Sequence, residues 1–403
     1  MYCNSPHTAR FNTTLLTLCS LLLFIPWVSA DHTTIEAHRM QNNQPGVSGS
    51  SIEHQLDKAR VYCYTGTLGA LVQDADDNRY ILSNNHVLAK ENEPDNSLAP
   101  DGNIIIQPGL LDEGSCSLSR GDPTHEVGYL ADWVPLQFGK GKNRPENTVD
   151  AAIASNGGMS AEILGIGGLS GNMEATPSPG LAVQKSGRTT GHTFGHVTAV
   201  NVTLIVDYSS GQALFVDQLE LTGSCMNFSD SGDSGSLIVT VPEADNRADA
   251  VGLLFAGGGD LTFANPINTV LNVFAQPSLT MVAGSDADPD ADTSALADVL
   301  ATCNDGGNDG SAGGPPVDPP GRGNKKNMEH PAMINASAVA QRHSAVLLAL
   351  PGVHGHGIGL NAQGIPVIRL YTDKGARRPA DTLPAMLDGV AVVAVPTGPI
   401  KAY

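Results

Sequence analysis

The chain has 403 residues, 41% hydrophobic and only 16% charged, so it can bury a core and is not a wholly disordered polypeptide. A formal charge of −19 excludes nucleic acid as a partner, because a polyanion would be repelled rather than steered in. No apolar run of about 18 residues follows residue 30, which excludes an integral helical membrane bundle.

Residues 1–30 read as a secretory signal peptide. Arg10 supplies the positive start, Thr14 to Trp27 the apolar stretch, and Val28-Ser29-Ala30 the small residues of a cleavage site. An uncleaved N-terminal anchor is the alternative. The expectation is secretion, to the extracellular space or a periplasm, with no membrane attachment once the signal is removed. Cys3 and Cys19 would leave with it. Cys63, Cys116, Cys225 and Cys303 would stay in an oxidising compartment, where four cysteines allow three pairings. The chain has no Cys-x-x-Cys, so no zinc knuckle and no metal site is expected.

Residues 31–60 are polar and aperiodic, and read as a lead-in or propiece. From 61 to 280 short apolar runs alternate with Gly, Asn, Asp and Pro clusters, the pattern of short strands and turns. Strands are predicted at Leu68 to Val72, Tyr80 to Leu82, Ile104 to Ile106, Val197 to Val206, Ala213 to Leu221, Leu237 to Val241 and Val251 to Phe255. Leu214 to Leu221 partly alternates, as a half-buried strand does. The fold class is therefore mainly β, a barrel or sandwich.

Residues 281–330 read as an acidic, Gly/Pro-rich linker. Residues 306–323 hold seven glycines and four prolines, too few apolar groups to offset the entropy of ordering. The acidic run from Asp286 to Asp292 lacks the Gly and Glu spacing of a calcium loop and reads as a solvated stretch. Residues 331–403 carry a balance of +3 against about −23 for 31–330. They read as a small α+β accessory domain of order α-β-β-α-β. Val339, Val346, Leu347 and Leu350 are expected on one helical face, ended by Pro351-Gly352, with strands at Val353 to Leu360, Pro366 to Tyr371 and Val390 to Val395, and a short helix near Leu383 to Leu387. Gly352, Gly355, Gly357 and Gly359 fail as a dinucleotide loop, because they lie within a strand and not between a strand and a helix. No cofactor is expected. His354 and His356 read as a structural or exposed pair. The opposite charges predict that this unit docks on the acidic body and covers or positions substrate, with Lys325 and Lys326 as a place where a nick would release it.

Three segments of the β-rich region carry chemistry. A strand from Tyr80 runs into the polar turn Ser83-Asn84-Asn85, which presents His86. Asp150 heads the apolar run Ala151-Ala152-Ile153. The turn Asp230-Ser231-Gly232-Asp233 presents Ser234, and a strand follows at once. Acyl transfer near neutral pH needs these types together. A serine hydroxyl is a weak nucleophile until a base takes its proton. Imidazole titrates in the working range and can return that proton to the leaving group. A carboxylate fixes the imidazole tautomer and stabilises the imidazolium. Main-chain N–H groups of Gly232 and Ser234 would receive the oxyanion, a contribution of about 3–4 kcal/mol in comparable sites.

The order His86, Asp150, Ser234, the motif Gly232-Asp233-Ser234-Gly235, Asn85-His86-Val87 and Val149-Asp150-Ala151-Ala152-Ile153 resemble those of trypsin-like, chymotrypsin-fold serine proteases of the single-chain type. Gly252 to Gly258 looks like that family's substrate-backbone strand, and Lys185 to Gly191 resembles a segment of plant narrow-leaf-type relatives. The resemblance spans residues 60–275. It implies two six-stranded β-barrels with the triad between them, and a polypeptide substrate. It also implies that Phe228 stands at the base of the primary pocket, with Ala256, Gly257 and Gly258 on its rim, which predicts an apolar or small primary residue. The chain lacks an Ile-Val-Gly-Gly activation start, so Asp233 is expected to be satisfied by local groups. His125, His192 and His196 rival His86 in type but not in setting, and Asp122 and Asp132 do not head apolar runs. The function expected is that of a secreted serine endopeptidase. The alternatives are a catalytically silent binding protein of the same fold, an esterase using the same triad, and a non-enzymatic surface protein whose C-terminal unit does the work.

Overall fold

The computed structural model describes residues 38–40, 43–51, 55–57, 60–63, 65–93, 103–114, 123–141, 144–224, 226–242, 247–274, 278–284, 329–374 and 383–403. The signal peptide, residues 285–328 of the linker with its acidic run and Lys325-Lys326, Asp122, and every cysteine except Cys63 lie outside the described residues, whereas Met281 at the start of the expected linker pairs with Val72. Cys63 is disulfide-bonded.

The first barrel is built from β1 (Val47–Ser51), β2 (Gly66–Leu68), β3 (Ala70–Gln73), β4 (Arg79–Ser83), β5 (Ile104–Ile106), β6 (Glu126–Trp133) and β7 (Ala152–Ser155). Pairing runs β1–β5–β6–β7–β4–β3, and β2 returns to β1. β2 and β3 are one strand broken at Gly69, so six strands close the ring. A Cβ on Gly69 would lie 2.1 Å from the carbonyl oxygen of Gly235, so glycine is what lets the second barrel's serine turn approach this strand. The segment expected as a lead-in supplies β1, fully buried. Its sequence, Val-Ser-Gly-Ser-Ser, shows no apolar alternation. Its buried hydroxyls are instead partnered: Ser48 donates to Asp112 at 2.5 Å, while Ser48 and Ser50 accept from the N–H groups of Gly109 and Leu110 at 3.0 and 3.1 Å.

The second barrel comprises β8 (Ala182–Gly187), β9 (Gly191–Asp207), β10 (Gln212–Gly223), β11 (Leu237–Thr240), β12 (Ala250–Gly258) and β13 (Leu261–Pro266). They close as β8–β9–β10–β13–β12–β11–β8. The mainly β, double six-stranded architecture read from the sequence is therefore the observed one. An apolar cluster joins the two barrels, bringing Ala70, Val72, Leu82 and Ile153 of the first against Leu237, Val239 and Leu253 of the second. Two short helices, α1 (Asn85–Leu88) and α2 (Ile267–Asn272), belong to these halves.

The C-terminal region is α+β, as expected, but its strands continue the second barrel's sheet. Helix α3 (Pro331–Leu347) starts with Pro331 in its first turn and with His330 accepting from the Ala332 N–H at 3.2 Å. Strands β14 (Val353–Leu360), β15 (Pro366–Thr372), β16 (Val390–Pro396) and β17 (Ile400–Ala402) follow. β14 pairs with β9, β15 with β14, and β16 runs parallel to β15. β17 pairs with both β9 and β12. Met333, Ala336, Val339, Ile358 and Ile368 share one core with Val197, Leu221, Ile238 and Leu254 of the barrel. Residues 33–403 form one compact unit. Two local expectations are corrected. Val346 is 64% exposed, since the buried stripe of α3 is Met333, Ala336, Val339, Ala340 and Leu347. Leu383 to Leu387 is not helical; Met386–Leu387 forms a two-residue strand that folds back on Val390 and Ala391.

Candidate active site

Strand β4 ends at Ser83, and the extended backbone of Asn84 leads the chain into the single turn α1, which presents His86. The Nδ1 of His86 lies 2.5 Å from Oδ2 of Asp150, and its main-chain N–H donates to Oδ1 at 3.2 Å. Asp150 is held on both sides. Its N–H donates to the Asn265 side-chain oxygen at 3.0 Å, and its C=O accepts from the Asn84 amide at 2.7 Å. The Tyr208 hydroxyl donates to Oδ2 at 2.8 Å, and its ring stands edge-on to His86 at 5.9 Å. Asp150 is fully buried and His86 is 4% exposed. Burial pushes the His86 imidazole down, but the charge of Asp150 and the hydrogen bond to it outweigh that penalty. The Tyr403 main-chain oxygen and the charge of Glu91 add to them, so His86 ends above its ordinary value. Glu91 is itself tied to the turn between β9 and β10, accepting from Ser209 and Ser210 at 2.7–3.1 Å.

Ser234 comes from the opposite barrel. The turn that carries it needs left-handed backbone at Gly232 (φ +102°) and Gly235 (φ +92°), conformations that only glycine adopts without strain. The Asp233, Gly235 and Ser236 N–H groups are spent inside the fold on the carbonyls of Asp230, Leu254 and Asp233. Those of Gly232 and Ser234 have no acceptor among the described residues. Two N–H groups of the serine turn without an acceptor are what an oxyanion would require. The barrels meet at this turn: Thr67 N–H donates to Ser234 O at 2.7 Å, and the Thr67 hydroxyl to Gly232 O at 3.0 Å.

Asp233 is satisfied by local groups, as the missing activation start implied. Its buried carboxylate accepts from the N–H groups of Thr189 (2.8 Å), Thr190 (3.2 Å) and Asp230 (2.9 Å) and from the Thr190 hydroxyl (2.7 Å). Lys185 Nζ, also fully buried, lies 3.5 Å away. Burial drives Lys185 below its usual value, and Asp233 opposes that shift. Sequence reasoning had singled out the segment from Lys185 to Gly191 only as a resemblance; the lysine's role as internal counter-ion was missed, as were Tyr208 and Asn265. A lysine inside an otherwise strand-like run was the available signal.

Beside Ser234 runs β12, whose Phe255 carbonyl accepts from the Ser234 hydroxyl at 3.2 Å. Residues Ala256 and Gly257 pair antiparallel with Ala402 and Lys401 of β17. Tyr403 then donates its N–H to Phe255 O at 3.3 Å and sets its own main-chain oxygen 3.0 Å from His86 Nε2. The Tyr403 ring passes over Gly257, where a Cβ would sit 1.9 Å from it. It packs against the cluster that contains Phe228. Burial pushes its phenol up to about 12, the charges of Asp230, Asp233 and Asp260 push the same way, and the Ser229 hydroxyl acts against them. Phe228 itself is fully buried behind the pocket, against Gly195 and Gly223. Past Tyr403 the cleft stays open, a volume of about 170 Å³ lined by His86, Leu111, Arg188, Ser231 and Gly232 among others.

The rival residues are structural. His125 bonds Glu113 at 2.5 Å and His192 bonds Gln184 at 2.7 Å. Burial, with the nearby Lys185 and His38, takes His192 down to about 4, and burial also lowers His196. The Asp132 carboxylate accepts from the adjacent Trp133 N–H. His354 pairs with Asp373 at 2.7 Å; His356 meets Ser344 at 2.8 Å and is pushed to about 4 by burial. Among the described residues no group of three His, Cys, Asp or Glu side chains could hold a metal ion.

Residues 155–265 match the family model described as the Nal1 C-terminal domain. No curated protein matches. Solved structures with similarity include a chymotrypsin from Cellulomonas bogoriensis, 19% identical, covering 60% of this chain and 99% of that one, with a TM-score of 0.35. Protease A of Thermobifida fusca is 19% identical over 58% of this chain and 98% of its own, with a TM-score of 0.33. A glutamic-acid-specific serine protease is 19% identical over 59% of this chain and all of its own, with a TM-score of 0.36.

Proposed function

We propose that the protein is a secreted serine endopeptidase in which Ser234 is the nucleophile, His86 the general base and acid, and Asp150 the residue that orients and charges the imidazole. The observation that supports the reading is a buried His86–Asp150 pair of the first barrel whose imidazole lines the same cleft as Ser231 and Gly232 of the serine turn, with the Gly232 and Ser234 N–H groups left without an acceptor among the described residues. The Ser234 hydroxyl itself donates to the Phe255 carbonyl, and His86 Nε2 faces the Tyr403 main-chain oxygen. In the reaction the Ser234 oxygen attacks the scissile carbonyl carbon while His86 Nε2 takes the hydroxyl proton. The oxyanion is received by the N–H groups of Gly232 and Ser234. Collapse of this intermediate breaks the C–N bond, and His86 returns the proton to the departing amine. Water then repeats the sequence on the acyl-enzyme, releasing the acid and restoring Ser234. A peptide substrate is favoured over a small ester because the site continues into a β-strand, Phe255 to Gly258, that pairs with an extended backbone. Secretion rests on the apolar leader and its small-residue cleavage site.

The test is covalent labelling of the purified protein by a fluorophosphonate, with cleavage sites mapped on a mixed protein substrate. Ser234→Ala is expected to lose all labelling and about 10⁶ of kcat while keeping its fold. Labelling retained in Ser234→Ala, or a wild type that neither labels nor cleaves once its cleft has been opened as described below, overturns the proposal.

A further inference from the structure

Three contacts place residues 400–403 in the cleft in the manner of an extended substrate. Lys401 and Ala402 add a strand to Gly257 and Ala256. Tyr403 gives its N–H to the same Phe255 carbonyl that holds the Ser234 hydroxyl. The Tyr403 main-chain oxygen faces His86 Nε2, the atom that would otherwise take the serine proton. The side chain then descends past Gly257, a position where any other residue would meet it. Upstream, Ile400 is buried among Leu204, Phe255 and Tyr371 and fastens the segment.

We infer that this segment is the site's own ligand: the tyrosine of residues 400–403 fills the primary pocket, and the protein holds itself in a blocked state whose occupant reports the side chain the pocket selects. The inference rests on the hydrolase reading above and adds substrate class and regulation to it. Because Ala256 and Gly257 spend their pairing on this segment, a peptide substrate must displace it. The pocket takes a flat aromatic ring against Gly257, with the Ser229 hydroxyl beside the phenol. The expected substrates are therefore extended chains with Tyr or Phe at the primary position. This narrows the apolar or small residue expected from the sequence to an aromatic one.

The experiment compares the full chain, Tyr403→Ala and a chain shortened to end at Ile400, which keeps the buried anchor. Each is labelled with a fluorophosphonate and assayed on peptide p-nitroanilides ending in Tyr, Phe, Ala or Lys. Both variants are expected to label on the order of 10- to 100-fold faster than the full chain, as removal of a tethered competitor at roughly millimolar effective concentration predicts. The shortened chain should cleave after Tyr roughly 100-fold better than after Ala. Equal labelling of all three active proteins overturns the inference and leaves the hydrolase reading standing, and so does a preference for Ala or Lys. If none labels, the hydrolase reading fails. The ligand claim is then decided by binding alone: the shortened chain carrying Ser234→Ala should bind a fluorescent Pro-Ile-Lys-Ala-Tyr peptide at least about tenfold tighter than Pro-Ile-Lys-Ala-Ala. Equal affinity for the two peptides overturns it.

Discussion

The two barrels share a plan and differ in what they do with their edges. The first is built from short strands and closes on itself through β1, β2 and β3. The second has strands of 17 and 12 residues, β9 and β10, which run past the barrel, and β14 and β17 pair with β9. The first barrel contributes His86 and the Asp150 carboxylate, both held by buried hydrogen bonds. The second contributes Ser234, the strand beside it and the sheet that holds residues 400–403 against that strand. The lesson is one of division of labour: the part that must not move belongs to the closed barrel, and the part that can be occupied or vacated belongs to the barrel with extendable strands. Cross-barrel ties, Asn265 to Asp150, Tyr208 to Asp150 and Ser209 to Glu91, keep the halves in register.

The strongest way to break the second half is at Lys185. The ammonium and the Asp233 carboxylate are both fully buried and 3.5 Å apart. Removing one partner leaves the other charge uncompensated, and for buried pairs that costs about 3–5 kcal/mol. Lys185→Met is expected near the lower end, because four other donors still reach Asp233. The serine turn is held by those same donors, so labelling of Ser234 should fall with stability. Lys185→Met with Asp233→Asn should recover most of the loss. Urea melts of the two singles and the double measure the coupling; additive losses would mean that the pair does not act as a pair.

A smaller effect is expected where the C-terminal region joins β10. Arg369 contacts the buried Glu220 carboxylate at 2.8 Å with a guanidinium that is 20% exposed, and the Tyr371 hydroxyl reaches the same carboxylate. Glu220→Gln should cost about 1–2 kcal/mol, reduced by the partial exposure of the arginine. Hydrogen exchange should locate the loosening in β14 and β15, with the first barrel unaffected. Uniform loosening of both barrels would show that the C-terminal region is not tied through this contact. Among the described residues Arg369 is the cation of this region that pairs with a carboxylate of the barrel, while Arg342 pairs with Asp388 of its own region; the larger part of the interface is the shared apolar core.

Legibility followed the same division. The positions of His86, Asp150 and Ser234 at strand ends were readable because a polar turn interrupts an apolar run at each; such breaks are visible in one dimension, whereas the His86–Asp150 contact is not. Four strands of the second barrel were readable as apolar runs, but Ala182–Gly187, Leu261–Pro266 and the first six residues of β9 were not, since Gly191-His192-Thr193-Phe194-Gly195-His196 alternates in burial without alternating in apolar character. β1 was not, because a run of Ser and Gly buries backbone and hydroxyls rather than apolar side chains. The extension of β9 by β14 was hidden for another reason. Both were legible as strands, but which edges meet is decided by packing between residues some 150 apart. The occupant of the cleft was equally hidden, since nothing in Ile400-Lys401-Ala402-Tyr403 marks it as a ligand until Gly257 is beside it.

The finest comparison concerns a single hydroxyl that crosses from the second barrel to the first. Tyr208 donates to Asp150 Oδ2, the same oxygen that faces His86 Nδ1. Tyr208→Phe keeps the ring, and hence the burial, and removes only that donor. The carboxylate charge is then shared less and pulls harder on the imidazolium, so His86, already above its ordinary value, should rise further. A hydrogen bond of about 0.5–1.5 kcal/mol corresponds to a shift of at most about one pH unit. Catalysis needs the neutral imidazole, so the acid limb of kcat/KM should lie above about 6.5 in the parent protein and move to higher pH in the variant. Its plateau should fall less than about tenfold. Stability runs the other way. A raised histidine stabilises the fold fully below its unfolded value of about 6.5, and that contribution is lost as pH rises through the folded value. Urea melts of the variant should therefore gain at acidic pH relative to alkaline pH, while its activity gains at alkaline pH. An acid limb that moves down, or does not move at all, would mean that Tyr208 acts on the imidazole through ring packing and not through the carboxylate.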